Sequence, residues 1–428
     1  MSVTKRIKAE INSLNRLNPN ITVFITYGLL FDVFFNMYRP FATKFLERMG
    51  GTAFHIALFN ALPGLGAALV ILPGAIILSR RKSAQKLTSI FFLISRLFIL
   101  LIAFVPTFPI ELQPLLFILF ISLMNLPEAV AQTSLQSFLG VVFDGRVRST
   151  AITLRNKFGN IAVPAITLAT GLIIGLLPRS DAERILYYQS FYVAAFIISL
   201  FEISRFLKLK ELPLKKMASP LPTPVEEEPK SKPGFKTALQ ITKEPKFKLF
   251  LITTMVFQFT WQAGWPIVTI YQIKTLGANE LWLAAFAVIA GITSFLCAGR
   301  WNKLIYKRSN GLALIIAAFF MAVNMFLFAA APSLPVLLIV SVFTGISTIG
   351  LNITLLNGML EATPSENRII AIAVYNTFAN ISLFLSPFFA NAILELTGIT
   401  NALMLIGVAR ALAGGLLLVV YLRAKKAS

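Results

Sequence analysis

Cysteine and histidine are almost missing from this chain: in 428 residues, Cys297 and His55 stand alone. One cysteine excludes a disulfide framework and every cysteine-based metal motif. One histidine leaves a histidine metal site short of ligands. Charge is scarce as well, at 13% of residues against about 25% in a typical soluble domain. There is no ATP-binding motif, no Ser–His or Cys–His arrangement, and no pair of metal-ligand carboxylates. The Gly64/Gly66 pair lacks the third glycine and the strand context of a nucleotide fingerprint, and reads as close helix packing. Together these absences predict no metal, no cofactor and no enzymatic activity.

Apolar residues take their place. They make up 57% of the chain, with 38 phenylalanines, and apolar runs of about 18 or more residues recur along its whole length. The N-terminus is basic (Lys5, Arg6, Lys8, Arg16), but the run that follows exceeds a signal h-region and has no small-residue cleavage site. It is read as a retained helix. A span needs about 20 apolar residues, and turn and charge signals divide the chain into twelve. The first six lie at 20–44, 53–78, 88–106, 113–138, 148–177 and 185–207. The second six lie at 248–273, 281–302, 311–331, 334–360, 368–396 and 401–422.

The net charge of +21 has a topological origin. Of the 39 Lys and Arg, 29 fall in the N-terminus, the alternate loops and the C-terminal tail on one side, five on the other, and five within spans. Cytoplasmic loops hold the excess of Lys and Arg. Both termini are therefore expected in the cytoplasm, and the basic pI requires no nucleic-acid partner. Seven prolines between Pro213 and Pro245, interleaved with charges, mark a linker that cannot bury a core. A short surface helix is expected around Phe235 to Thr242. The predicted organisation is a basic segment at 1–19, a six-helix bundle at 20–207, a linker at 208–247, a second bundle at 248–423 and a tail at 424–428. The expected setting is a plasma membrane, a bacterial cytoplasmic membrane in particular, with the lipid bilayer as partner and the chain as a monomer.

The bundles repeat each other. At an offset of 220, Arg148 to Ile161 and Arg368 to Ile381 share seven of fourteen residues, among them Asn156/Asn376, Phe158/Phe378 and Asn160/Asn380. The same offset lays Arg80 on Arg300. Span 5 thus corresponds to span 11 with the same sense, so the fold class is an all-α polytopic membrane protein of two parallel six-helix pseudo-repeats. That repeat plan is known among transporters.

On these features the chain resembles the major facilitator superfamily over essentially its whole length. Glu361 and Arg368 match its acidic–x6–Arg pattern at the end of span 10. In the first half Val141 takes the acidic place, with Asp144 nearby, and Leu78 stands where the loop 2–3 signature has Asp. An antiporter-type signature in span 5 is only partly present (Gly159, Val163, Pro164, Gly171). The resemblance implies that Asp144, Arg148, Glu361 and Arg368 close an inner gate. It also implies that spans 3, 6, 9 and 12 support a cavity lined by the others.

Polar spacing points to the same cavity. Asp32, Asn36 and Arg39 share one face of span 1, and Asn125, Glu128, Gln132 and Gln136 one face of span 4. Ser341, Thr344, Thr348 and Asn352 form a matching stripe on span 10. Such stripes are costly against lipid and face protein or water. Isolated Asn or Thr residues serve helix packing about as often as they contact substrate, so the candidates form a set: Asn36, Arg39, Gln132, Arg155, Asn156, Trp261, Gln262, Asn352 and Asn376. A buried carboxylate costs several kcal/mol when charged and is either paired or protonated. Glu128 lies at the depth of both Arg96 and Arg155, and either is a possible partner. Asp32 has no arginine at its own depth on this reading, which makes it the first candidate for carrying a coupling proton, with Glu128 second.

The reading taken is a secondary transporter of small organic molecules, coupled to protons, in the direction of efflux by antiport. Proton-coupled uptake of an organic anion or a sugar is an alternative, since Arg39 and Arg155 suit an anion clamp. A non-transporting sensor or lipid-handling scaffold on the same fold is another.

Overall fold

The computed structural model describes residues 18–78, 85–143, 145–210, 235–362 and 368–427. Twelve long helices run through them. In the first half these are α1 (Asn20–Tyr38), α2 (Ala53–Leu78), α3 (Gln85–Ala103), α4 (Gln113–Val142), α5 (Gly145–Leu176) and α6 (Asp181–Phe206). In the second they are α7 (Pro245–Ile270), α8 (Glu280–Lys307), α9 (Asn310–Ala330), α10 (Leu334–Ala362), α11 (Arg368–Thr397) and α12 (Ile399–Ala427). Eleven are long and apolar enough to cross a membrane. The other, α7, is of similar length at 26 residues and falls outside that set. The short helix expected in the linker is present at Phe235–Ile241.

Local chemistry sets the boundaries. Ser180, Asn279 and Ser309 cap the starts of α6, α8 and α9 by accepting a backbone N–H three residues on, which satisfies an otherwise orphaned donor. Pro40 breaks α1 into a 3-10 turn before a short helix, Ala42–Arg48, carries it on. The two turns that place Gly50 and Gly277 at positive φ lie on the face poor in Lys and Arg, called here the sparse face. The opposite face is the basic face. Prolines sit inside α2, α4, α5, α7 and α11. In a bundle of this kind, neighbouring helices re-satisfy the backbone groups that proline frees.

Helix pairing repeats with the sequence. In the first half α1 packs on α5 and α6, α4 on α2 and α3, and α3 on α6. The second half repeats each pair six helices later: α7 on α11 and α12, α10 on α8 and α9, and α9 on α12. The halves meet through α2 against α11 and α5 against α8. Those two contacts are equivalent under the same shift, which is what parallel repeats require. Gly64 brings the backbone of α2 against Asn380 and Leu383 of α11, the close packing expected of that glycine.

Candidate functional site

Four clusters bring chemistry into this frame. The first joins α1 to α5. Arg155 Nη2 lies 2.5 Å from Asp32 Oδ1, and Asn36 donates to the Asp32 carbonyl at 2.8 Å. Two glycines make the pairing possible. A Cβ on Gly28 would stand 2.5 Å from Arg155 Cγ, and one on Gly159 would overlap Asp32 Oδ2. Asp32 Oδ2 is buried without a hydrogen-bond partner, while the Arg155 side chain keeps a quarter of its surface exposed.

This pair corrects the sequence-based expectation that Asp32 has no arginine at its depth. That expectation started span 5 at 148, whereas α5 begins at Gly145. Arg155 then lies ten residues into α5 and Asp32 twelve into α1. The offset of two residues is about 3 Å along a helix, within the reach of an arginine.

The second cluster resolves the choice left open for Glu128. Its partner is Arg96, and Gln132 donates to its other oxygen at 2.8 Å. Arg96 also faces Glu202 of α6 at 3.5 Å. Its guanidinium lies over the rings of Phe34 and Phe92, at 4.6 and 5.2 Å from their centroids. One arginine therefore stands between two carboxylates in a buried setting. Glu202 was not among the sequence candidates.

The third cluster ties the halves together at the sparse face. Arg48 donates to both oxygens of Glu280, at 2.6 and 3.1 Å, and to Asp181 at 2.8 Å. Tyr188 donates to the same Glu280 at 3.0 Å. Lys274 reaches the Gly51 carbonyl from the other half at 3.0 Å. Bidentate arginine–carboxylate pairing is among the stronger polar contacts, and Glu280 is fully buried.

The fourth is a cavity of about 350 Å³ in the second half, with Pro40 and Thr43 of the first half on its lining. Trp261, Trp265, Phe286 and Phe328 give it aromatic walls, and Ser341, Thr344 and Thr348 a row of hydroxyls. Asn324 accepts from Thr344 at 3.1 Å. Arg410 of α12 completes the lining. It is buried and donates to the carbonyls of Thr260, Trp261 and Met321, at 3.2, 2.7 and 3.1 Å.

The remaining sequence candidates scatter. Arg39 lies over the Phe59 ring at 5.4 Å. Asn156 is exposed and accepts from Arg155. Gln262 bonds Ala379 of α11 at 3.2 Å and stands outside the cavity lining. Asn352 and Asn376 are exposed, Asn352 one turn beyond the last hydroxyl of its stripe. His55 receives the Thr52 N–H at 3.1 Å, a local turn contact. Of the gate candidates, Glu361 is exposed. Asp144 lies outside the described residues, as do the side chains of Arg148 and Arg368. Among the described residues no three His, Cys, Asp or Glu side chains gather as a metal site.

Comparison with known proteins follows this geometry. The family model described as Major Facilitator Superfamily matches residues 23–360 and 250–428. No curated protein matches the chain. Among solved structures, the nucleoside transporter NupG superposes with a TM-score of 0.68 at 13% identity, over 94% of this chain and 99% of that one. A POT family transporter in complex with 5-aminolevulinic acid gives 0.66 at 12% identity, over 94% and 96%. A POT family transporter holding a thioalcohol-conjugated peptide gives 0.67 at 12%, with the same coverage. Similarity at this identity reports the shared fold.

Proposed function

The chain belongs to the major facilitator superfamily, and from that premise we propose that it is a secondary active transporter. It moves a small organic solute across a plasma membrane by alternating access and couples the movement to protons. The basic face lies in the cytoplasm, on the strength of the Lys and Arg asymmetry. The two halves rock about the contacts of α2 with α11 and of α5 with α8. Opening the sparse face breaks the Arg48–Glu280 pair, and Asp144, Arg148, Glu361 and Arg368 close the opposite face in exchange. The fold shared with a nucleoside transporter and a transporter holding 5-aminolevulinic acid supports a small organic cargo.

The observation that carries the coupling is the Asp32–Arg155 pair. Asp32 is neutralised when protonated, and Arg155 is then left with its existing contact to the exposed Asn156. When the proton leaves, the pair re-forms. A carboxylate whose partner is partly exposed can exist in both states during a cycle, which a fully enclosed pair does less easily. Glu128 is the second candidate, sharing Arg96 with Glu202.

Purified protein in proteoliposomes tests the reading. A panel of sugars, organic anions and cationic dyes is presented with an imposed pH gradient, inward and then outward. Gradient-driven accumulation of at least one solute is expected, and its sign gives the direction. Solute binding with no flux under either gradient would assign the chain to the sensor or scaffold alternative.

A further inference from the structure

Arg410 sets a charge in the cavity wall that no carboxylate among the described residues balances. The three hydrogen bonds of its guanidinium all go to backbone carbonyls. Among the described residues no carboxylate forms an ion pair with it. Carbonyl dipoles offset part of the cost of burying a guanidinium, but a full positive charge remains in a low-dielectric wall. A purely structural clamp on three carbonyls accounts for the bonds, not for its position on a cavity lining.

Two further groups at that cavity lack partners. Trp261 Nε1 and Thr348 Oγ1 are both buried and unsatisfied, though such groups ordinarily find a hydrogen bond. Both residues line the same space as Arg410. Gly264 also lines it, and a Cβ there would overlap Arg410 Nη2, so the glycine keeps the guanidinium seated. The rest of the lining sets Gln272, Asn324, Ser341 and Thr344 against an apolar wall of Trp265, Phe286 and Phe328, and the volume, about 350 Å³, falls near the lower end of ligand pockets, about 300–1,000 Å³.

We propose that this cavity binds a singly charged organic anion, a carboxylate or sulfonate on an apolar body. The anionic head faces Arg410 and accepts from Trp261 Nε1 and Thr348 Oγ1, and the body lies against Trp265 and Phe286. A single guanidinium with three donors already engaged matches a monoanion better than a phosphate dianion. This names a substrate class for the transport reading, and rests on that reading only for the claim that the bound anion is carried.

Binding to the full-length protein in detergent is measured by titration calorimetry with naphthoate, naphthalenesulfonate, naphthamide and naphthylmethylammonium. Both anions are expected to bind at least about tenfold more tightly than the amide, the cation not at all, because hydrogen bonds to charged groups are the stronger ones. Thr348→Val and Trp261→Phe each remove one free donor and are expected to weaken naphthoate about threefold to tenfold. Arg410→Met abolishes the preference for anions, and Arg410→Lys restores part of it. If Arg410→Met fails to fold, the two donor variants decide. Equal affinity for acid and amide, or wild-type affinity in both donor variants, overturns the proposal. Anion binding without flux leaves this site standing and removes the transport reading; flux without anion preference does the reverse.

Discussion

Arg96 and Arg410 are both buried guanidiniums, on α3 and α12, and they are partnered in opposite ways. Arg96, on α3, stands between Glu128 and Glu202. Arg410 hydrogen-bonds, among the described residues, to the carbonyls of Thr260, Trp261 and Met321 and pairs with no carboxylate. The repeat of helix pairing is therefore not a repeat of charge. The Arg96 cluster holds one carboxylate more than its arginine requires, and among the described residues Arg410 pairs with none. A first-half site suited to exchanging a proton beside a second-half site suited to an anion is the asymmetry that proton-coupled anion transport would use.

The Arg96 cluster should show strong non-additivity. Either Glu128→Gln or Glu202→Gln leaves Arg96 with one carboxylate and is expected to be tolerated. The double variant strands a buried charge, which costs about 3–5 kcal/mol. Thermal unfolding of the two singles and the double provides the cycle. A double variant no less stable than the sum of the singles would mean that the two carboxylates do not share Arg96.

Gly28→Ala and Gly159→Ala attack the Asp32–Arg155 pair without touching either charge. Each added methyl meets a side chain of the pair, and overpacking of this kind costs about 1–3 kcal/mol. Both variants should fold and bind solute, yet lose most pH-driven accumulation. Wild-type accumulation in Gly159→Ala would show that the pair is not needed for coupling.

What could be read from the sequence followed local periodicity. The helix count, the parallel repeat and the α10 stripe were all legible, and Ser341, Thr344 and Thr348 of that stripe do line the cavity. Asn352 shares their spacing and does not, because one further turn carries it past the cavity's end. Long-range pairing was the blind spot. Arg48 and Glu280 are 232 positions apart, with nothing local to join them. Glu202 sits one turn from Arg205 near the end of α6 and reads as interfacial until α3 is laid beside it. A three-residue error in the start of α5 was enough to hide Arg155 from Asp32. The cavity of Arg410 needs five helices to be seen, among them α9 and α12, the two second-half spans that the family resemblance assigned to support.

Glu280→Gln should loosen the sparse face. It keeps the shape of the side chain while removing the charge that Arg48 and Tyr188 converge on. A contact stabilises only the state that contains it, so its loss raises the population open at that face. With Gln272→Cys on a Cys297→Ser background, labelling by an impermeant maleimide from the sparse face should accelerate several-fold in Glu280→Gln. An unchanged rate would show that the seal lies elsewhere, for example at Lys274 and Gly51.

Asp32→Asn is the sharpest test of coupling. The amide cannot release a proton, and it holds position 32 permanently in a state resembling the protonated one. Arg155 then loses its only ion-pair partner among the described residues and keeps its contact with Asn156. Uphill accumulation under a pH gradient should fall to background, while counterflow exchange of solute, which needs no net proton movement, should persist within about threefold of wild type. A merely structural Asp32 predicts a different pattern: lower expression and thermal stability, with both modes reduced together. The two patterns separate on the ratio of uphill to exchange flux, which is independent of how much protein is inserted. If the gradient still drives accumulation through Asp32→Asn, the coupling proton does not bind there, and Glu128→Gln, with Arg96 still held by Glu202, becomes the variant whose flux ratio decides.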